Sequence, residues 1–144
     1  MSVFEWSDSL SIGIPEVDEQ HQGLVDAMKG LEKLVKPEVS GGHLHVLLGL
    51  FMMQVSGYVK THFSFEEMLM AQHNFPGLDK HRKSHRKLEE DFTDFSKRLE
   101  QAKDDEQRRA LVKTLLTFMH DWFSQHVKRD DMAYGEYLRE EGIV

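Results

Sequence analysis

Residues 55–66 read Val55-Ser-Gly-Tyr58-Val59-Lys-Thr-His62-Phe-Ser-Phe-Glu66. Val55, Tyr58 and Val59 step by three and four, the period of a helix with one apolar face. The same stepping then lands on His62 and Glu66. A helix is therefore expected to carry an imidazole and a carboxylate on its inward side. Burying an unpaired carboxylate costs several kcal/mol or forces it to neutralise. Burying these groups together wants a common partner in the core.

The rest of the chain has the same period. A first segment carries Leu24, Val25, Met28, Leu31 and Val35. The second runs Leu44, Leu48, Phe51, Met52, Val55, Tyr58, Val59 and Leu69. A third carries Leu88, Phe92, Phe95 and Leu99, and a fourth Val112, Leu115, Met119 and Trp122. No alternating, strand-like pattern interrupts them. Three polar breaks separate the segments: Pro37 to Gly42, His73 to Asp79 with its Pro-Gly pair, and Lys103 to Glu106. Short connections favour an all-α, up-down-up-down four-helix bundle. The expected helices are residues 18–36, with Asp18 as N-cap, and 41–72, 79–101 and 105–129. An irregular arm, 1–17, precedes them. A tail, 132–144, follows, with one short helix from Tyr134 to Arg139. All 144 residues are expected to form one domain.

Composition narrows the function. The chain is 40% hydrophobic and 30% charged, enough to build a core. Lys and Arg number 18 against 25 Asp and Glu, a net charge of −7. That disfavours nucleic acid, which is bound by neutralising phosphates, and anionic membrane surfaces. There is no cysteine, so thiolate metal sites, iron–sulfur clusters and cysteine nucleophiles are excluded. The N-terminus shows no secretory pattern. The longest run without charge or histidine, Val46 to Val59, is too short for membrane insertion. A soluble, cytoplasmic protein is expected.

Nine histidines are the unusual count, and several fall on the apolar stripes. His21 lies three before Leu24. His85 and His81 lie three and seven before Leu88. His126 lies four after Trp122. In an up-down-up-down bundle, His21, His62, Glu66, His81, His85 and His126 all fall at one end. A metal ion is the economical common partner. His62/Glu66 and His81/His85 are i, i+4 pairs that share a face. Asp131 is five residues after His126, which on a regular helix turns it well off that face. It can join only if the helix distorts or ends near residues 128–130. His43, His45, His73 and His120 lie off the stripes and are expected at the surface. Imidazole and carboxylate without thiolate suit iron, manganese or zinc, and the donors are too many for one ion. HExxH is absent, which excludes a zincin protease, and no Glu-x-x-His supports a ferritin-like centre.

The ordered set His21, His62-Phe-Ser-Phe-Glu66, His81-Arg-Lys-Ser-His85 and His126-Val-Lys-Arg-Asp-Asp131 resembles the ligand set of the hemerythrin family. The arm from Trp6 to His21 resembles the opening of its single-domain bacterial members. The resemblance spans about residues 4–134. It implies that His81, His85 and His126 hold one iron and that His21 and His62 hold the other. Glu66, Asp131 and an oxo or hydroxo oxygen would bridge the two. Two octahedral ions so bound keep one open position, on the ion with two histidines. By the resemblance, dioxygen binds there reversibly.

Leu24, Val25, Phe63, Met119 and Trp122 are candidates for a dry wall around that position. Tyr58, one turn from His62, is the nearest candidate proton donor. The expected function is oxygen storage, or delivery to an oxygen-using enzyme as partner, by a protein that is not itself an enzyme. Three alternatives stand beside it: a sensor of oxygen, nitric oxide or iron; an enzyme processing peroxide or nitric oxide; and a metal store. The length leaves no room for a fused signalling domain, which favours the carrier.

Overall fold

The computed structural model describes residues 5–36 and 43–143. The break expected at Pro37 to Gly42 lies outside the described residues. Four long helices follow one another: α1 Pro15–Leu34, α2 Leu44–Gln72, α3 Leu78–Gln101 and α4 Asp105–Gln125. A π-helical turn, His126–Asp131, then runs into α5, Met132–Glu140. Among the described residues there is no strand. Each long helix packs on its sequence neighbours, and α4 closes the ring against α1. The all-α four-helix bundle expected from the periodicity is what forms.

Local chemistry sets the helix ends. Helix α1 begins at Pro15, a full turn before Asp18, because proline lacks the N–H that a first helical position leaves unsatisfied. Asp18 is therefore not the N-cap. Its carboxylate turns back and accepts from Ser11 Oγ (2.5 Å) and the Ile12 backbone N–H (2.9 Å). Helix α2 stops at Asn74, whose φ of 55° is left-handed. The amide of Phe75 donates to Met70 O (3.0 Å) and that of Asn74 to Ala71 O (3.3 Å), a Schellman closure. The chain is thus turned before Pro76 and Gly77, which lead into α3. Helix α4 is capped by Asp104, which accepts from the Gln107 amide at 2.8 Å.

The two terminal segments are more ordered than an arm and a tail. Leu10, Ile12 and Ile14 are buried in the core. Helix α5 lies across the same end of the bundle. Its Tyr137 hydroxyl donates to His73 O (2.8 Å), and Arg139 donates to Ile12 O (2.6 Å). A Cβ at Gly135 would stand 2.8 Å from Ile12 O, so this crossing needs glycine. The arm and α5 therefore cover the end where the histidines gather.

Candidate metal centre

His21 lies in the second turn of α1, His62 and Glu66 near the end of α2, and His81 and His85 at the start of α3. His126 follows α4. Antiparallel packing brings them together: the His21 and His62 rings are 4.7 Å apart, as are those of His81 and His126. All seven candidate ligands are buried, Glu66 and Asp131 completely.

Asp131 arrives through the π-helical turn. In such a turn the repeat widens to i, i+5, so a residue five along returns to the same face. Its Oδ1 stands 2.9 Å from His81 Nε2 and 3.0 Å from His126 Nε2, and its Oδ2 stands 3.1 Å from His21 Nε2. Glu66 is placed in the same manner. Its Oε1 is 2.5 Å from His62 Nε2, and its Oε2 is 3.8 Å from His81 Nε2. The groups form two clusters, His81, His85, His126 and Asp131, and His21, His62, Glu66 and Asp131. Each carboxylate directs one oxygen towards each cluster.

These contacts are not ordinary hydrogen bonding. Both oxygens of Glu66, both of Asp131 and the Nε2 of His81 are buried without a partner in hydrogen-bond geometry. The Nε2 atoms of His85 and His126 face each other at 3.2 Å. Buried polar groups are normally satisfied. Donors that converge on common points without bonding one another fit cations at those points. Five imidazoles and two carboxylates suit borderline divalent metals rather than calcium or magnesium.

The electrostatics agree. Burial, with His81 and His126 alongside, drives the pKa of His85 far below the usual imidazole range. Burial also works against charge on His126, but the charge of Asp131 and the hydrogen bond to Asp130 outweigh it and push its pKa up to about 10. Burial would raise Asp131; the charge of His126 beside it wins, and its carboxyl is held well below the usual range.

Partners behind the rings fix which nitrogen faces inward. His85 Nδ1–H donates to Glu67 (2.8 Å), and Glu67 is also paired with Arg86. His126 Nδ1–H donates to Asp130 (3.0 Å), with Ser84 Oγ at 3.1 Å from the same nitrogen. His62 Nδ1–H donates to Gln20 Oε1 at 2.5 Å.

Of the expected wall residues, Leu24, Val25, Phe63 and Met119 are buried and Trp122 is partly buried. Phe63 lies flat on His85 (3.7 Å between centroids, 2°), and Trp122 stacks on His126 (4.3 Å). Both rings therefore pack directly on the three-histidine cluster. The buried Phe123, which the stripe reading passed over, packs edge-on against His21 at 5.5 Å. It stands three residues before His126, a spacing that could have flagged it.

Tyr58 is not a donor to the centre. It is 38% exposed, and its hydroxyl donates to the Gln20 backbone carbonyl at 2.6 Å. The phenol at the centre is Tyr134 of α5, fully buried, with its ring 5.4 Å from His81. Burial, with the charges of Glu66 and Asp131, pushes its pKa well up, so it stays protonated.

The family model described as the hemerythrin HHE cation binding domain matches residues 12–138. A bacteriohemerythrin of Stenotrophomonas maltophilia is 25% identical over 96% of this chain and 84% of its own length. One of Clostridium acetobutylicum is 28% identical over 92% and 98%. A myohemerythrin of Theromyzon tessulatum is 24% identical over 91% and 90%. With a family match over most of its length, and two carboxylates shared between two histidine clusters, the chain belongs to the hemerythrin family.

Proposed function

We propose that this protein binds dioxygen reversibly at a pair of non-haem irons, as an oxygen store or as a carrier to an oxygen-using enzyme. His81, His85 and His126 would hold one iron and His21 and His62 the other, with Glu66 and Asp131 between them. The observation that carries this reading is the unequal pair of clusters that share Asp131, with Glu66 of one reaching towards His81 of the other. An iron pair, when bound, supplies electrons to dioxygen and takes them back on release.

The chain's own residues do the rest. The two-histidine position has one imidazole fewer than its neighbour, which leaves room for an exogenous ligand. Phe63, Trp122 and Phe123 pack on ligand rings, and Leu24, Val25 and Met119 are buried in the same apolar core, which would keep water out. Tyr134 is held protonated and adds no negative charge beside Glu66. No helix among the described residues is long and apolar enough to cross a membrane.

The test is iron content together with the optical spectrum, recorded anaerobically after reduction and again in air. Close to two irons per chain, with a charge-transfer band that rises with oxygen and fades on its removal, is the expected result. A band that never reverses would point to a sensor or an oxidising enzyme. Fewer than two irons would remove the basis of the proposal.

A further inference from the structure

The groups behind the two clusters are chemically unequal. On the three-histidine side the acceptors are anionic: Glu67 behind His85 and Asp130 behind His126. On the two-histidine side the acceptor behind His62 is the neutral amide oxygen of Gln20, and His21 Nδ1 is buried with no partner. A carboxylate drawing on Nδ1–H makes Nε2 a stronger donor, and an amide does so less.

Gln20 is held for this task. The Tyr58 hydroxyl, from α2, donates to its backbone carbonyl at 2.6 Å. That reach depends on Gly23, where a Cβ would stand 2.3 Å from the Tyr58 oxygen. One residue of α1 is thus fixed through its backbone by Tyr58 and bonded through its side chain to His62. Both contacts come from α2, one turn apart.

We propose that Gln20 is a positioning residue that keeps the two-histidine position the weaker of two unequal metal sites. Its neutral amide orients His62 without strengthening it as a ligand. This rests on the paired-ion reading above. The three-histidine position then fills first and holds its ion more tightly. The second ion, at the position left open to an exogenous ligand, is bound by weaker donors and remains the more electron-poor.

The test uses the whole ion-free chain, titrated anaerobically with Co(II) alone by calorimetry and visible absorption. The wild type should bind two ions in two resolved steps. Gln20→Leu should weaken the second step by about 10–100-fold, the usual effect of losing a group that orients a ligand. Gln20→Glu should tighten that same step by about tenfold, the opposite direction, which a purely structural role cannot produce. Glu67→Gln should weaken the first step instead. Gln22→Glu places the same added charge two residues away, on exposed surface, and should leave both steps unchanged.

The proposal is overturned if Gln20→Glu and Gln20→Leu weaken the second step alike, or if neither moves it. It is also overturned if Gln22→Glu tightens as much as Gln20→Glu, or if the wild-type steps coincide. A wild type that takes fewer than two ions fails differently: it overturns the paired-ion reading and this proposal with it.

Discussion

Glu66 shows how much of the centre a single position carries. Its carboxylate is fully buried, makes no hydrogen bond of good geometry, and faces His62 with one oxygen and His81 with the other. A cation on each side would offset its burial. Glu66→Ala should therefore lower iron content from two per chain to one or none, measured by metal analysis of the reconstituted protein. Two irons retained would contradict a bridging role. Met119 tests the apolar surround. It is fully buried on α4, one turn before Phe123, which packs on His21. Met119→Gln should speed autoxidation severalfold and cost about 1–3 kcal/mol of stability, since the buried amide gains no partner. Unchanged autoxidation across several such variants would remove water exclusion from the account. At this scale, the imidazoles and Glu66 were legible because they break an apolar stripe. Gln20, Glu67 and Asp130 were not. Each is a polar residue on a largely polar helix face, and nothing in the spacing separates a group bonded to a buried ring from one bonded to water. Phe123 was passed over because its neighbour Trp122 also fitted the stripe, and one residue of rotation decides which of them faces inward.

Among the elements, the π-helical turn has the largest effect on the site. Ideal α geometry turns about 100° per residue, so Asp131 would sit far round the helix from His126. Widening the turn returns it to the inner face and also places Asp130 on the outer nitrogen of the same imidazole. One imidazole thus has a carboxylate on each of its nitrogens, supplied by consecutive residues. Inserting a single alanine after Lys128 should carry Asp131 about another 100° round and separate it from His21 and His81. The expected outcome is loss of the second ion and of the oxygen-dependent band, with circular dichroism still helical. Retention of both ions would show that the turn can absorb a further residue. From sequence, the i, i+5 spacing stood out as a geometric conflict, but its resolution did not, because π turns carry no residue signature and are stabilised by what they let a side chain reach. The start of α1 was misplaced for a simpler reason. Asp18 is a good capping residue and Pro15 a good first helical residue, and the proline prevailed because Asp18 is occupied by Ser11 and Ile12. Helix α5 was visible only as a short periodic run, and its contacts with the arm could not be read from periodicity.

In the whole molecule, the bundle has an apolar end and a polar one. Leu31, Leu44, Leu48, Leu99, Val112 and Leu115, all buried, make the former. The latter holds the seven ligand groups under the arm and α5. Burial dominates at the apolar end, with Arg108 paired to Asp105 and bonded to Ala102 O at its edge. The polar end, without ions, must keep two carboxylates and five imidazoles dry. The ions are therefore expected to contribute to folding mainly at one end. Removal of iron by an anaerobic chelator should raise amide exchange about tenfold or more in residues 59–70, 81–88 and 119–138. Residues 44–52, 92–99 and 112–116 should keep most of their protection, because their apolar contacts do not change. Arg139 and Tyr137 tie α5 to the arm and to the turn after α2, so those segments should loosen together with α5. Exchange that rises equally at both ends would mean that the bundle opens as one cooperative unit. In that case the ions would stabilise the whole fold rather than the end that binds them.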